Sequence, residues 1–346
     1  MMHTSDSSTH TLSTEVRLLM LASLVVVLFA ASLFWGSVHI PASAVMDILM
    51  GHNDADHASW AYIIMDSRLP QAVTATLCGA ALSAAGLLLQ TAFRNPLAGP
   101  NILGIDAGAN LGVALVMLLF GGMIVTNTTT IGGFVLIIVA ALIGAGGVMM
   151  LLLTFSTILR SDTMLLIAGI MISYLAGSAI SLLNYQATEE GVRSYMMWGM
   201  GSFASVSIDR LPYFVLTTSV GIVMALLLIK PLNALLLGDN YARNLGIRIR
   251  RTRTLLLLTC GLLTASCTAF CGPITFVGLA VPHLARLVLG QSNHRSLLPT
   301  TILTGALLAL VCNLLTTIPD TSIIPINVIT PIIGAPTVIW VILRKR

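Results

Sequence analysis

The sequence predicts an all-α integral membrane protein with ten transmembrane helices and both termini in the cytoplasm. Three observations predict it. Hydrophobic residues fill 56% of the 346 positions and charged residues only 9%, where a soluble chain carries about 25% charge to solvate its surface. Apolar runs recur along the chain at the length of a membrane crossing, roughly 20 residues for a hydrocarbon core about 30 Å thick. Threading those runs through a bilayer gathers nearly all basic residues on one side.

Hydropathy and Gly/Pro punctuation place the helices at 18–39, 69–91, 101–120, 130–154, 163–183, 211–229, 254–271, 274–290, 297–317 and 327–343. An even number of crossings puts both termini on one side. Its loops then hold Arg17, Arg94, Arg160, Lys230, Arg243, Arg248, Arg250, Arg251, Arg253, Arg286, Arg295, Arg344, Lys345 and Arg346, leaving only Arg68, Arg193 and Arg210 opposite. Lys and Arg concentrate in cytoplasmic loops, so that side is inside. The stretch 195–206 is apolar enough to suggest an eleventh span. That span would carry the terminal Arg-Lys-Arg across the membrane, so the stretch reads as a short non-spanning helix on the outer face. Outer loops are acidic, with Asp47, Asp54, Asp56, Asp66, Glu189, Glu190, Asp209 and Asp320.

Residues 1–16, polar and rich in Ser and Thr, read as a disordered tail, and 17–346 as a single transmembrane domain. The apolar run after Arg17 is span-length and many spans follow, which argues against a cleaved signal peptide. Small residues recur every four positions at Gly169, Ser173, Gly177 and Ser181, and again at Gly79 and Ser83. That spacing lets helix backbones approach closely in lipid.

Absences exclude several chemistries. A P-loop needs Gly-Lys-Ser/Thr, yet the only lysines, Lys230 and Lys345, follow Ile229 and Arg344. The chain is therefore not expected to hydrolyse ATP. His-Glu-x-x-His and paired intramembrane carboxylates are absent too, and the basic residues form no continuous stripe for nucleic acid. Cys78, Cys260, Cys267, Cys271 and Cys312 lie in apolar stretches. Cys267 and Cys271 are four apart, but no histidine or carboxylate lies near them in sequence to complete a metal site, so they read as small apolar helix residues. The loop His52-Asn-Asp-Ala-Asp-His57 has metal-like composition and reads first as a solvated outer loop. Asp106 is the one carboxylate near mid-membrane. It sits about a turn into the third span, so it reads as an interfacial helix-start residue close to the inner face, with a pathway-lining role as the alternative.

The segment 230–253 is the longest inner loop. Pro231 is placed to end the sixth span, Leu235 to Leu245 reads as a short amphipathic helix, and Gly246 is placed to stop it. A basic loop touching lipid headgroups would have this character; so would a docking element for a cytoplasmic partner.

Ordered motifs favour the second reading. Arg68-Leu-Pro, Gly79-Ala-Ala, Gln90 and Arg94-Asn-Pro-Leu-Ala-Gly-Pro100 are followed by Leu103-Gly104, Gly108-Ala109 and Trp198-Gly-Met-Gly-Ser-Phe203. Further on come Gly238-Asp-Asn-Tyr-Ala-Arg-Asn-Leu-Gly246, Gly272-Pro-Ile-Thr-Phe-Val-Gly-Leu-Ala-Val-Pro-His-Leu-Ala-Arg286, Pro325-Ile-Asn and Gly334-Ala-Pro336. In order and spacing the chain resembles the permeases of type II ABC importers, which carry ferric siderophores, haem and vitamin B12.

The resemblance implies a ten-helix permease paired with a second copy, and a path on the two-fold axis. It also implies two cytoplasmic ABC ATPase subunits, which bind ATP and magnesium, and a periplasmic or lipid-anchored substrate-binding protein. The setting is the bacterial inner membrane, and no resident cofactor or metal is expected in this chain. Gly238, Asp239, Asn240, Tyr241, Ala242, Arg243, Asn244, Leu245 and Gly246 match the ATPase-coupling helix. Asn95, Pro96 and Leu97, with Ser161, Asp162 and Thr163, match the cytoplasmic gate loops. Arg68 matches an outer arginine that meets the binding protein, where charge complementarity sets orientation. Met196, Met197, Trp198 and Met200 lie near the expected mouth and, with Asp106, are the pathway candidates. Pro282-His283-Leu284-Ala285-Arg286 reads as structural. Gln71 departs from a second outer arginine common in the family, and Asp106 from a small hydroxyl residue.

Ferric siderophore leads among the substrates implied, with haem and cobalamin as alternatives. An ion-gradient-driven secondary transporter is the rival of another class.

Overall fold

The computed structural model describes residues 13–51, 58–119, 131–159, 161–318 and 324–344. Regular structure among them is entirely helical. In chain order the elements are α1 (Thr14–Phe34), α2 (Ala42–Leu49), α3 (Ala58–Tyr62), α4 (Leu69–Ala92), α5 (Ile105–Leu119), α6 (Ile131–Ile158), α7 (Asp162–Gln186) and α8 (Glu189–Gly199). They continue as α9 (Leu211–Leu227), α10 (Ile229–Leu236), α11 (Asp239–Asn244), α12 (Ile249–Cys271), α13 (Val277–Leu289), α14 (His294–Thr316) and α15 (Ile326–Arg344). By length and composition six helices among the described residues can cross a membrane, and a seventh if α9 and α10, bent by 48°, act as one. Three shorter apolar helices, Ile105–Leu119, Val277–Leu289 and Ile326–Trp340, accompany them.

The α4 helix is the axis of the bundle. Its helical run from Ala58 is 83% buried over the most apolar window, against 17% for α1 and 22% for α7. The α12, α13 and α14 helices pack around it. Glycines set the approach. A Cβ on Gly86 would lie 1.7 Å from the Gly278 carbonyl oxygen, and one on Gly79 would lie 2.2 Å from that of Gly305. In lipid such contacts, rather than a hydrophobic effect, hold helices together. Ser83 completes the second contact by donating to the Thr301 carbonyl at 3.0 Å. The outer faces stay apolar and uncovered: Leu19, Val26 and Val27 on α1, Ile143 and Met150 on α6, and Leu216 and Leu227 on α9 are exposed. A solvated monomer rarely shows so much.

The stripe on α7 is only half used within the chain. Gly169 and Ser173 pack against Leu103 and Gly104, whereas Gly177 faces open space.

Several expectations are corrected. Pro231 does not follow a helix end. The α9 helix stops at Leu227 and Pro231 sits in the first turn of α10, where a missing N–H costs nothing. The predicted 235–245 helix is broken at Gly238, whose φ of 105° separates α10 from α11; Gly246, at φ 80°, does end α11. The outer helix predicted at 195–206 begins earlier, at Glu189. Thr188 caps it by accepting from the Gly191 N–H at 3.2 Å. It ends before Gly201, whose φ is 69°, and Phe203–Ser205 forms a separate 3₁₀ turn. Helix α1 opens at Thr14, inside the expected tail, on a Ser13 cap. The loop His52–His57 lies outside the described residues, as do Asp320 and Lys345–Arg346.

One region gave no hydropathy signal. Ile40, Ala44, Val45, Ile48 and Ile64 form a small separate core, covered by Trp60, which seats α2 and α3 beside the N-terminal end of α4. Between α3 and α4, Ile63–Arg68 widens into a π-helical turn just before Pro70, which has no N–H to continue the ladder.

Candidate coupling and translocation site

At one end of the bundle three sequence-predicted segments meet. Helix α4 ends with Phe93 as cap, and the Asn95 N–H bonds to the Gln90 carbonyl at 3.2 Å while the Arg94 N–H bonds to that of Thr91 at 3.3 Å. This is a Schellman closure, whose left-handed position glycine normally fills. Here it is Arg94, at φ 45°, a conformation costing a residue with a Cβ about 1–2 kcal/mol. The next residues fold tightly. Asn95 Oδ1 accepts from the Leu97 N–H at 2.9 Å, and the Pro96 carbonyl oxygen lies 2.9 Å from His283 Nε2. His283 thereby ties the Asn95–Leu97 turn to α13.

Arg94 is ion-paired to Asp239 Oδ1, the first residue of α11. The other carboxylate oxygen, Oδ2, is 3.1 Å from Arg253 Nη2 on α12. Within α11, Ala242 is buried, while Tyr241 and the following Leu245 are exposed. Ser161 lines a small crevice with Phe93, Arg253 and Leu257, so the Ser161–Thr163 turn borders the same cluster. The side chain of Asp162 lies outside the described residues. The segments expected to be gate turns and coupling helix, separate in sequence, are therefore neighbours.

Asp106 is not near this end. It is buried and accepts from Thr268 Oγ1 at 2.8 Å. Thr268 lies fifteen residues along α12 from Arg253, about 22 Å at 1.5 Å per residue. Residues 95–104 make the climb without regular helix, with Ala98, Pro100 and Leu103 buried; irregular backbone at membrane depth is tolerated where protein covers it. Asp106 does stand in the first turn of a helix, as expected, but that helix begins within the bundle and away from the end that holds Arg94 and Asp239. Cys267 packs beside Cys78 there, its sulfur 4.0 Å from the Cys78 carbonyl oxygen.

At the opposite end Met196, Met197 and Met200 are exposed, and Trp198 stacks on Tyr195 with ring centroids 6.1 Å apart. Met197 and Met200 border two cavities. One of about 300 Å³ is also lined by Arg68, Gln71 and Asn313, and one of about 540 Å³ by Asn184, Glu189 and Arg193. Asp106 lines neither. Gln71 donates to Asn313 Oδ1 at 2.8 Å.

Arg68 does not project outward in this conformation. It is buried, and its guanidinium donates to the carbonyls of Leu33 at 2.9 Å, Phe34 at 3.0 Å and Val38. Val38 lies in the segment that follows α1, while Leu33 and Phe34 close the end of that helix, where a cation complements the helix dipole. Arg17 does the same for α13 through Val288 and Leu289. Sequence reasoning gave no role to Asn327, although its motif was visible. Its side-chain amide donates to the carbonyls of Gly199, at 3.1 Å, and Pro273, and its oxygen accepts from the Thr275 N–H at 3.1 Å. It thus joins α8 and α15 to the link between α12 and α13.

A lipid-facing helical bundle with irregular, buried backbone at depth and cavities at one mouth defines a multi-pass membrane permease. The chain belongs to the FecCD transport family, which it matches over residues 24–344. It is 33% identical over 332 residues to the hemin transport system permease protein HmuU of Yersinia pestis, covering 95% of this chain and 96% of that one. Identity is also 33% to the ferric enterobactin transport system permease protein FepD of Escherichia coli, over 93% of each chain. A solved structure described as an inward-facing conformation of a metal-chelate type ABC transporter superposes with a TM-score of 0.83. It is 30% identical, covering 95% of this chain and 99% of the other. The chain is an ABC importer permease of the inner membrane.

Proposed function

We propose that two copies of this chain form the translocation path of an ATP-driven importer for a ferric siderophore or related iron chelate, haem and cobalamin being the alternatives. Two ATPase subunits grip Gly238–Gly246 from the cytoplasm, and a binding protein delivers ligand to the outer mouth. The chain forms one transmembrane domain of ten crossings with both termini inside, the three shorter helices being spans that begin or end within the bundle. The carrying observation is the end cluster. A short helix between two positive-φ glycines presents Tyr241 and Leu245 outward, while its first residue is ion-paired to Arg94, just before the Asn95–Leu97 turn, and to Arg253 on α12. The hydrolytic machinery belongs to the partners, since neither Lys230 nor Lys345 stands in a P-loop. Relatives named for hemin and ferric enterobactin support the chelate class. The outer mouth, with its methionines, supplies soft contacts for a large ligand.

The permease supplies two conformations, and ATP bound to the partners biases them. Reconstitution of the complete complex in liposomes, with hemin, ferric enterobactin and cyanocobalamin offered side by side, tests this reading. One ligand should accumulate only when ATP is enclosed with the ATPases. Uptake by the permease alone under a proton gradient would replace it with the secondary-transporter reading.

A further inference from the structure

Arg94 breaks a local rule. Its backbone occupies the glycine position of a helix-ending turn, and nothing about that turn asks for a long cationic side chain. Residues kept in unfavourable backbone conformations point to a functional demand on the side chain. The side chain here reaches Asp239, 145 residues away. Asp239 in turn uses its two carboxylate oxygens on two different elements: Oδ1 on Arg94, at the end of α4, and Oδ2 on Arg253, at the start of α12, 3.1 Å away.

We infer that Arg94 and Asp239 form the strut that carries movement of α11 to the axial helix α4 and the Asn95–Leu97 turn behind it. This rests on the importer reading above. The covalent route from α11 to α4 is indirect, because α11 is flanked by Gly238 and Gly246, both at positive φ with open space around them. A push on α11 could be absorbed at either glycine. The carboxylate fork bypasses them. It holds α11 to α4, whose run has the largest buried share among the described spans, and to α12, itself largely buried and packed on α4. The pairs are partly exposed, with side-chain accessibilities of 48%, 31% and 30% for Arg94, Asp239 and Arg253, so they add little to stability. Their value is directional: they make one rigid unit of three segments. Arg94 is a positioning residue in this scheme and touches no ligand.

The assay uses the complete complex in liposomes, with whichever of hemin, ferric enterobactin or cyanocobalamin the wild-type complex transports. Arg94→Gly removes the strut while relaxing the turn, so it should melt no lower than wild type. Ligand imported per ATP hydrolysed should fall about fivefold or more, the range of a typical coupling between sites. Asp239→Asn should lower the same ratio, and the double variant should fall no further than Asp239→Asn alone, because the two residues act through one contact. Wild-type stoichiometry in Arg94→Gly, or strictly additive losses in the double variant, would overturn the strut. An Arg94→Gly protein that melts lower in proportion to its lost uptake would make Arg94 a folding residue and overturn it equally. A wild-type complex without ATP-dependent uptake would instead remove the importer reading on which the strut depends.

Discussion

Thr268 Oγ1 lies 2.8 Å from Asp106 Oδ1, joining the first turn of α5 to α12 deep within the bundle. Thr268→Val keeps the shape and leaves a buried carboxyl without its donor. The expected loss is roughly 1–3 kcal/mol, the penalty for stranding a buried polar group, read as a lower melting temperature in detergent or nanodiscs. Asp106→Asn retains an acceptor for the hydroxyl and should melt near wild type. If it melts normally yet stops uptake in the reconstituted complex, Asp106 belongs to the path after all.

Gly86 and Gly177 make a matched pair. A methyl group at Gly86 would meet the Gly278 carbonyl oxygen at 1.7 Å, while one at Gly177 meets nothing within 4 Å. Gly86→Ala must push α13 away from α4 and should cost about 1–3 kcal/mol or prevent assembly. Gly177→Ala should leave the melting of the single chain unchanged. Equal behaviour of the two variants would mean that the α4–α13 contact is not as close as described.

Arg68 supplies a planar fork to two carbonyls at the end of α1 and one in the segment after it. Lysine offers a compact charge rather than a fork, so Arg68→Lys should recover only part of what Arg68→Met loses. The loss for methionine should be of the order of 1.5–3 kcal/mol, appropriate to hydrogen bonds from a charged group. Melting curves of the three proteins decide it. Unchanged melting in Arg68→Met, with weakened capture of the binding protein, would return Arg68 to the outer surface.

Much of this architecture was legible in the amino-acid order. Apolar runs marked the long helices, Gly79 and Ser83 marked a close contact that Gly305 and Thr301 complete, and Gly246 marked the end of α11. The depth of Asp106 was not legible, because counting from a helix start assumes that the helix starts at the membrane surface. Here the irregular stretch 95–104 runs inward first, with Ala98, Gly99, Pro100, Leu103 and Gly104 buried. The α2–α3 core was invisible for another reason: eight residues with Ala44, Val45 and Ile48 on one face are too few to register as a hydrophobic run. The partners of Arg68 were not legible because charge and loop composition say nothing of the carbonyls of Leu33, Phe34 and Val38, 30 to 35 positions away, that take its guanidinium. The pairing of Arg94 with Asp239 had no sequence signal, since nothing local connects positions 145 apart.

Accessibility of one introduced thiol reports whether α11 faces the cytoplasm and meets the ATPase there. The five native cysteines are all buried, whereas Tyr241 is exposed on α11, so Tyr241→Cys gives a single reporter for a membrane-impermeant maleimide. Labelling is expected from the cytoplasmic face of inverted vesicles, with protection when the ATPase subunits are added. Labelling from the periplasmic face of intact spheroplasts, or no protection by the ATPases, would contradict it.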